Sequence, residues 1–298
     1  MTTPVIIEAA INGATSKRRN PSVPISADEL IADALACLDS GAAIIHFHIA
    51  ASGLSGDEAA ARYLEVARPV LEARPEALWY PTINFGPPAR WYDHIEPLAA
   101  SGLLRMTLSD PGSVNLGGST DGVPTGAFVY ANSFDDIAHQ MSLGRSLGLG
   151  PSIAVYEPGF LRAVIAYERA GLLPAGAFVK LYLAADRGLS GSPFGLPPTV
   201  AALDAYLELL DGSGLAWAVS AVGDDLPRTP VCAAALARGG HLHVGLEFYG
   251  GSRRPTNATL VAEAVEACAA SGRPVATPDQ TAGLLGLGGR VGGLSTGG

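Results

Sequence analysis

The chain has 298 residues, 48% hydrophobic and only 16% charged, which supplies a large core and argues against a disordered protein. Its 19 basic and 28 acidic residues leave a net charge of −9, the wrong sign for a nucleic-acid partner, since phosphate binding needs a basic surface. No apolar run reaches the roughly 18–20 residues of a membrane span, and the length suits one large α/β barrel or two smaller domains.

Met1-Thr2-Thr3-Pro4 leads into a predicted strand over Val5–Ile11 with no basic, apolar signal region, so a cytoplasmic location is expected. Ser26 and Glu29 stand at N-cap and capping-box spacing and predict a helix that ends near Ser40-Gly41. A short β-branched run, Ala43–Ile49, predicts a buried strand. Helix follows over Asp57–Ala73, strand over Ala77–Ile83, helix over Pro88–Ala100 and strand over Leu103–Leu108. Asp110–Asn132 is a Gly/Pro/Ser-rich stretch too long for an ordinary βα connection, which points to a functional loop. The alternation continues with helix Ser133–Leu147, strand Ile153–Glu157, helix Pro158–Ala170 and strand Ala177–Leu183. A second long loop, Asp186–Pro198, precedes helix Thr199–Leu210. Strand Ala216–Val222, helix Leu226–Arg238, strand His241–Glu247 and helix Asn257–Ser271 close the series.

Eight strands alternating with eight helices predict an α/β fold, a single (β/α)8 TIM barrel over residues 1–282. An open doubly wound sheet is the competitor, but no GxGxxG follows the first strand. The Gly-rich end, residues 283–298, reads as a tail that is poorly packed or wraps a neighbour. Cys37, Cys232 and Cys268 are scattered through Ala-rich helical segments and form neither a disulfide set nor a zinc cluster.

Within Ala43–Ile49, His46 and His48 stand two positions apart and share one face of the strand, opposite Ile45, Phe47 and Ile49. A hydrogen-bonded pair of core histidines is one account; two ligands of a divalent metal is the other. Strand eight alternates in the same way, with His241, His243, Gly245 and Glu247 on the face that looks into a barrel. Both strands are even-numbered, so their inward residues can meet at one level. Two imidazoles and one carboxylate then make a site with a position open for water or substrate, a pattern shared by zinc, iron, manganese and nickel.

The C-terminal ends of the other strands offer Asn12-Gly13-Ala14-Thr15, then Thr82 and Asn84, then Thr107, Ser109 and Asp110, then Tyr156 and Glu157, and Lys180 with Tyr182. Candidate proton carriers are His243, Glu157, Asp110 and Glu8. Glu8 is a carboxylate among apolar residues and needs a partner, for which Lys180 is the candidate. Lys180 is alternatively a Schiff-base lysine of an aldolase. Lys17, Arg18 and Arg19 are either a receiver of anionic groups or a solvated loop.

The stretches AAINGA, NPSVP, GAAIIHFH, GSVNLGG, VYEPG, GGHLHVGLE and ATPDQ, in order along nearly the whole chain, resemble the β-keto acid cleavage enzymes, whose founding activity is 3-keto-5-aminohexanoate cleavage. The resemblance implies a (β/α)8 barrel, a Zn(2+) ion and a homotetramer. It also implies a reaction in which a β-keto acid and acetyl-CoA give acetoacetate and a new CoA thioester. It places the zinc ligands on His46, His48 and Glu247, the polar position after strand three on Thr82 and the strand-five carboxylate on Glu157. Asn84, Ser109 and Thr15 are further substrate-binding candidates, with His243 and Asp110 beside Glu157 for proton transfer.

The departures are equally specific. An Arg-Asp pair usual after the HxH is Ala50-Ala51 here, and an acidic residue common after the first turn is Thr15. His243 and Phe248 stand where the family carries an arginine and an aspartate implicated in deprotonation and charge neutralisation. The metal ligands are therefore kept while the usual acid–base set is not, and a catalytically altered metal-binding barrel is a further alternative.

Overall fold

The computed structural model describes residues 2–49, 53–189 and 191–289. Its strands are β1 (Ile7–Ala10), β2 (Ile44–Phe47), β3 (Leu78–Pro81) and β4 (Met106–Ser109), then the short β5 (Val114–Asn115), β6 (Gly118–Thr120), β7 (Val123–Thr125) and β8 (Val129–Tyr130), and finally β9 (Gly150–Val155), β10 (Phe178–Ala184), β11 (Ala216–Val222) and β12 (His241–Val244). Eight of them form one parallel sheet in the order β3-β2-β1-β12-β11-β10-β9-β4, and its two edges, β3 and β4, pack side by side. The helices are α1 (Ala27–Asp39), α2 (Gly56–Ala73), α3 (Ile95–Ala100), α4 (Phe134–Leu147), α5 (Pro158–Arg169), α6 (Val200–Leu210), α7 (Pro230–Ala237), α8 (Asn257–Ala270) and α9 (Pro278–Leu285). The chain is a single (β/α)8 TIM barrel, as its alternation of elements predicts. No described helix is long and apolar enough to cross a membrane.

Local chemistry accounts for most boundaries. The capping box predicted at Ser26 and Glu29 opens α1, and the same reciprocal arrangement opens α2 at Ser55 and Glu58. The helix predicted over Pro88–Ala100 divides instead, a 3-10 turn at Pro88–Arg90 preceding α3, with the Asn84 N–H donating to the Trp91 carbonyl at 2.8 Å. The helix predicted from Leu226 likewise restarts at Pro230, which lacks an N–H and is tolerated at a helix start but not inside one. The long loop after β4 is not structureless: β5 pairs with β8 and β6 with β7.

The last helix is α9, which the sequence reading did not foresee, and it carries ordered chain past residue 282. Beyond it Leu287 lies against the entrance of β9, where a Cβ on Gly150 would meet Leu287 Cδ2 at 2.3 Å. Arg105 Nε donates to the Gly288 carbonyl at 2.9 Å. The tail through Gly289 thus packs on the floor of its own barrel, and the rest of the predicted tail lies outside the described residues.

Candidate metal centre at the barrel mouth

β2 stops at Phe47, so His46 sits within the strand and His48 just beyond it. Asn12, at the end of β1, holds that extension: its Nδ2 donates to the His48 carbonyl at 2.9 Å and its Oδ1 accepts from the His48 N–H at 2.9 Å. The same Oδ1 accepts from the Gly13 N–H at 2.8 Å, so one amide side chain aligns both strand ends.

Glu247 arrives differently from the expected alternation. β12 ends at Val244, and Gly245 turns the chain with φ +129, where an added Cβ would meet the Ala10 carbonyl oxygen at 2.1 Å. Glu247 therefore projects from a turn. Three bonds pin that turn: Glu247 N–H to the Ala10 carbonyl at 3.2 Å, Leu246 N–H to Asn257 Oδ1 at 2.8 Å, and Thr15 Oγ1 to the Leu246 carbonyl at 2.9 Å. Gly13 leaves the room for it, since a Cβ there would stand 2.2 Å from Glu247 Cγ.

The three side chains converge, with donor atoms all within 4.8 Å of one another. His48 Nε2 is 3.1 Å from Glu247 Oε1, His46 Nε2 is 3.5 Å from Glu247 Oε2, and the two imidazole Nε2 atoms are 3.1 Å apart. His46 Nδ1 lies 3.2 Å from the Tyr80 carbonyl oxygen, to which it donates, and this tautomer turns the Nε2 lone pair toward its neighbours. Tyr80 also stacks on the His46 ring, with centroids 4.4 Å apart.

Burial holds the His46 imidazole down at about 3, against the upward pull of Glu247. Burial works against the charge of Glu247, but His48 and His46 outweigh it and hold the carboxyl at about 2. A neutral imidazole and a charged carboxylate are the protonation states a metal ligand needs. Glu247 Oε2 is buried without a hydrogen-bond partner, a cost that a cation would remove. Two nitrogens and one carboxylate oxygen, one of them held by an outer hydrogen bond, fit a divalent ion with a coordination position to spare.

Beside this centre lies a second buried cluster. Tyr80 donates its hydroxyl to Glu8 Oε1, and Lys180 Nζ lies 2.5 Å from the Tyr80 oxygen and 3.3 Å from Glu8 Oε1. His243 Nε2 is 3.2 Å from the same carboxylate oxygen without the alignment of a hydrogen bond. Burial pushes Glu8 up, but Lys180 and His243 more than offset it and keep the carboxyl far below its ordinary range. Burial pushes His243 down, toward the neutral imidazole. The Glu8–Lys180 pair is present as expected, so the amine considered for imine formation is engaged.

Asp110 is buried next to β4, where Tyr130 donates to its Oδ2 at 2.5 Å and its own N–H donates to Gln140 Oε1 at 3.1 Å. Burial raises its carboxyl, against the downward pull of the Tyr130 hydrogen bond and of Lys180. Ser109 Oγ donates to the same Gln140 oxygen at 2.8 Å. Asn84 Nδ2 is engaged by the Leu54 carbonyl and Asp93 Oδ1, both at 3.0 Å, and so ties loops together. Thr82 is half-buried and its carbonyl accepts from His94 Nε2 at 2.8 Å. Glu157 Oε1 accepts from the Gly195 N–H at 2.9 Å, in the loop after β10. Ala50 and Ala51 lie outside the described residues.

Asn12, Gly13, Tyr80 and Asn257 had no assigned role in the sequence reading. Asn12 and Gly13 stood at the right strand end; Tyr80 gave no signal, because an aromatic in a strand reads as core.

A family model for the beta-keto acid cleavage enzyme matches residues 4–287. The 3-keto-5-aminohexanoate cleavage enzyme of Acetoanaerobium sticklandii is 25% identical over 288 residues, covering 95% of this chain and 98% of that one. The 3-oxoadipate:acetyl-CoA acetyltransferase of Cupriavidus necator is 24% identical, covering 96% of each chain. The apo structure of ObcA matches in fold with a TM-score of 0.69 at 16% identity, and the alignment covers 90% of this chain but spans 66% of that one.

Proposed function

The chain belongs to the β-keto acid cleavage enzyme family, and from that premise we propose that it is a metal-dependent acyltransferase acting on a β-keto acid and acetyl-CoA. The observation that carries this reading is the convergence of His46, His48 and Glu247 at the C-terminal end of the barrel, where the chemistry of this architecture is done. The named activities of the relatives, keto-acid cleavage and acetyl-CoA-dependent transfer, support the same class.

In the proposed exchange the bond between the β-carbonyl carbon and the α-methylene of the keto acid breaks. The methylene joins the acetyl carbon of acetyl-CoA, and the CoA sulfur ends on the departing acyl group. The products are acetoacetate and a new CoA thioester, with no oxidant or reductant required. A zinc ion held by His46, His48 and Glu247 would supply Lewis-acid polarisation of the keto and carboxylate oxygens. Tyr80 and Asn12 position the two histidines.

His243, neutral through burial and beside the charge of Glu8, is the residue to take a proton from the substrate; Glu8 favours the imidazolium that forms. Asp110, kept toward its neutral form by burial, is the proton donor. Thr82 is assigned to substrate binding; Ser109, whose hydroxyl is spent on Gln140, serves the site with Thr15 and Asn84 by holding its loops. Glu157 fixes the Gly195 loop, and through it the wall of the mouth. Zinc as the metal and a homotetrameric, cytoplasmic enzyme are parts of the same proposal.

The test is acetoacetate release from β-keto acids with acetyl-CoA, alongside elemental analysis of wild type and His46→Ala. The expected result is close to one metal per chain in wild type, lost with activity in the variant. Full turnover by metal-stripped protein would overturn the metal-dependent reading.

A further inference from the structure

Both arms of the proposed metal centre lean on one amide from behind. Asn257, the first residue of α8, is wholly buried, and its Oδ1 accepts from the Leu246 N–H at 2.8 Å, one residue before Glu247. Its Nδ2 donates to the Ile11 carbonyl at 2.7 Å, one residue before the Asn12 that holds His48. A single side chain therefore joins the turn that delivers the carboxylate to the strand end that anchors an imidazole. Only one orientation of the amide can do this. Turned over, its Nδ2 would face the Leu246 N–H and its Oδ1 the Ile11 carbonyl oxygen, donor on donor and acceptor on acceptor.

The remaining Nδ2 proton goes to a carboxylate outside the barrel: Asp33 Oδ2 of α1 accepts it at 2.6 Å. Asp33 lines a surface groove between α1, the loop that precedes it and the start of α8. Lys17, the cation on that groove, is paired with Glu29 at 2.5 Å. Asp33 makes no ion pair among the described residues, and its other side-chain contact is Cys37 Sγ at 4.0 Å. What this carboxylate serves is therefore Asn257. Burial pushes its carboxyl up to about 6, against the downward pull of the Asn257 hydrogen bond, so at neutral pH it is the charged acceptor. A charged acceptor makes a hydrogen bond about twice as strong as a neutral one.

We propose that Asp33 is a positioning residue for the metal centre: it fixes the Asn257 amide, and through it the separation between the turn that carries Glu247 and the strand end that carries Asn12. The inference rests on the metal-dependent reading of His46, His48 and Glu247. Asp33 reaches that centre only through Asn257. Partners that orient metal ligands are worth about 10–100-fold in metal affinity, and Asp33, one residue further out, belongs at the low end, about tenfold.

Two measurements on Asp33→Ala and Asp33→Asn test it, the second variant keeping a carbonyl oxygen that can accept from Asn257 Nδ2. The first is chelator-competition titration of the full, metal-stripped chain with zinc. Asp33→Ala is expected to bind about tenfold more weakly than wild type, and Asp33→Asn to bind as wild type does. The second is amide hydrogen exchange of the metal-free protein, followed by NMR. In Asp33→Ala the Leu246 N–H is expected to exchange faster, while the Leu242 N–H, bonded to the Ile6 carbonyl at 3.0 Å in the barrel wall, keeps its wild-type rate. A contact that merely packs α1 against α8 would change both amides together or neither, with zinc affinity unaltered, and that result overturns the proposal. Equal loss of affinity in both variants assigns the effect to the charge of Asp33 and overturns it too. If wild type takes up no zinc, it is the metal-dependent reading that fails, and the Leu246 exchange rate still decides whether Asp33 holds the turn.

Discussion

Gly13→Ala adds one methyl group at the point where β1 hands the chain to the mouth, and its effect can be worked out in two parts. The first is conformational. Gly13 has φ +54, a left-handed conformation that costs an L-residue about 1–2 kcal/mol. The second is steric: the new Cβ would sit 2.2 Å from Glu247 Cγ and 2.6 Å from Cδ, far inside contact distance. Glu247 has to move by about an ångström or more to restore an ordinary carbon–carbon separation near 3.5–4.0 Å. Such a move takes its carboxylate off the 3.1 Å and 3.5 Å contacts with His48 and His46. Disturbing the support of a metal ligand costs about 10–100-fold in metal affinity or activity.

Gly148→Ala is the control, because Gly148 has φ +65 and nothing within 4 Å of its added Cβ. Both variants should lose about 1–2 kcal/mol of stability to the backbone, while only Gly13→Ala should lose metal affinity. Chelator-competition titration with zinc measures the affinity, and urea unfolding of both variants measures the shared term. If Gly13→Ala holds zinc as tightly as Gly148→Ala, Glu247 is not the ligand and the assigned centre is wrong.

Three other expectations follow from the same contacts. Asn12→Ala removes both hydrogen bonds to the His48 backbone and should weaken zinc binding about 10–100-fold with a small change in thermal midpoint; unaltered affinity would show that His48 needs no such anchor. Tyr80→Phe keeps the carbonyl that orients His46 but takes away the hydroxyl shared by Lys180 and Glu8, so it should cost about 1–3 kcal/mol in urea unfolding with metal content unchanged. Metal-free protein should lose stability as the pH falls below about 6.5: His46, held at about 3 when folded, takes up its proton first on unfolding, and Glu247, held at about 2, adds the same sign from about 4.5 downward. Each group contributes at most about 1.4 kcal/mol per pH unit, and His46→Gln should remove the upper part of the slope in a denaturation series.

The strand and helix order, the barrel and the pairing of His46 with His48 were legible in the sequence, because local periodicity and strand alternation encode them directly. The capping box at Ser26 and Glu29 is there as read. What could not be read is everything set by one strand end leaning on another. Strict alternation carries Glu247 on β12, yet the strand stops at Val244 and a turn delivers the carboxylate, because Gly245 adopts a backbone open to glycine and the Ala10 carbonyl occupies the space a Cβ would need.

Tyr80 shows the other limit. In sequence it is one aromatic among several in Leu78–Pro81; in space its carbonyl sets the His46 tautomer and its hydroxyl joins Glu8 and Lys180. The sequence by itself determined which residue types were available and which face of each strand they occupy, since those depend on neighbours a few positions away. The sequence also foresaw that Glu8 pairs with Lys180 and that Glu247 reaches His46 and His48; the tertiary structure alone decided the supporting contacts of Asn12 with His48 and of Gly13 with Glu247, because these form only when the barrel closes, and contact distance, unlike periodicity, leaves no trace along the chain.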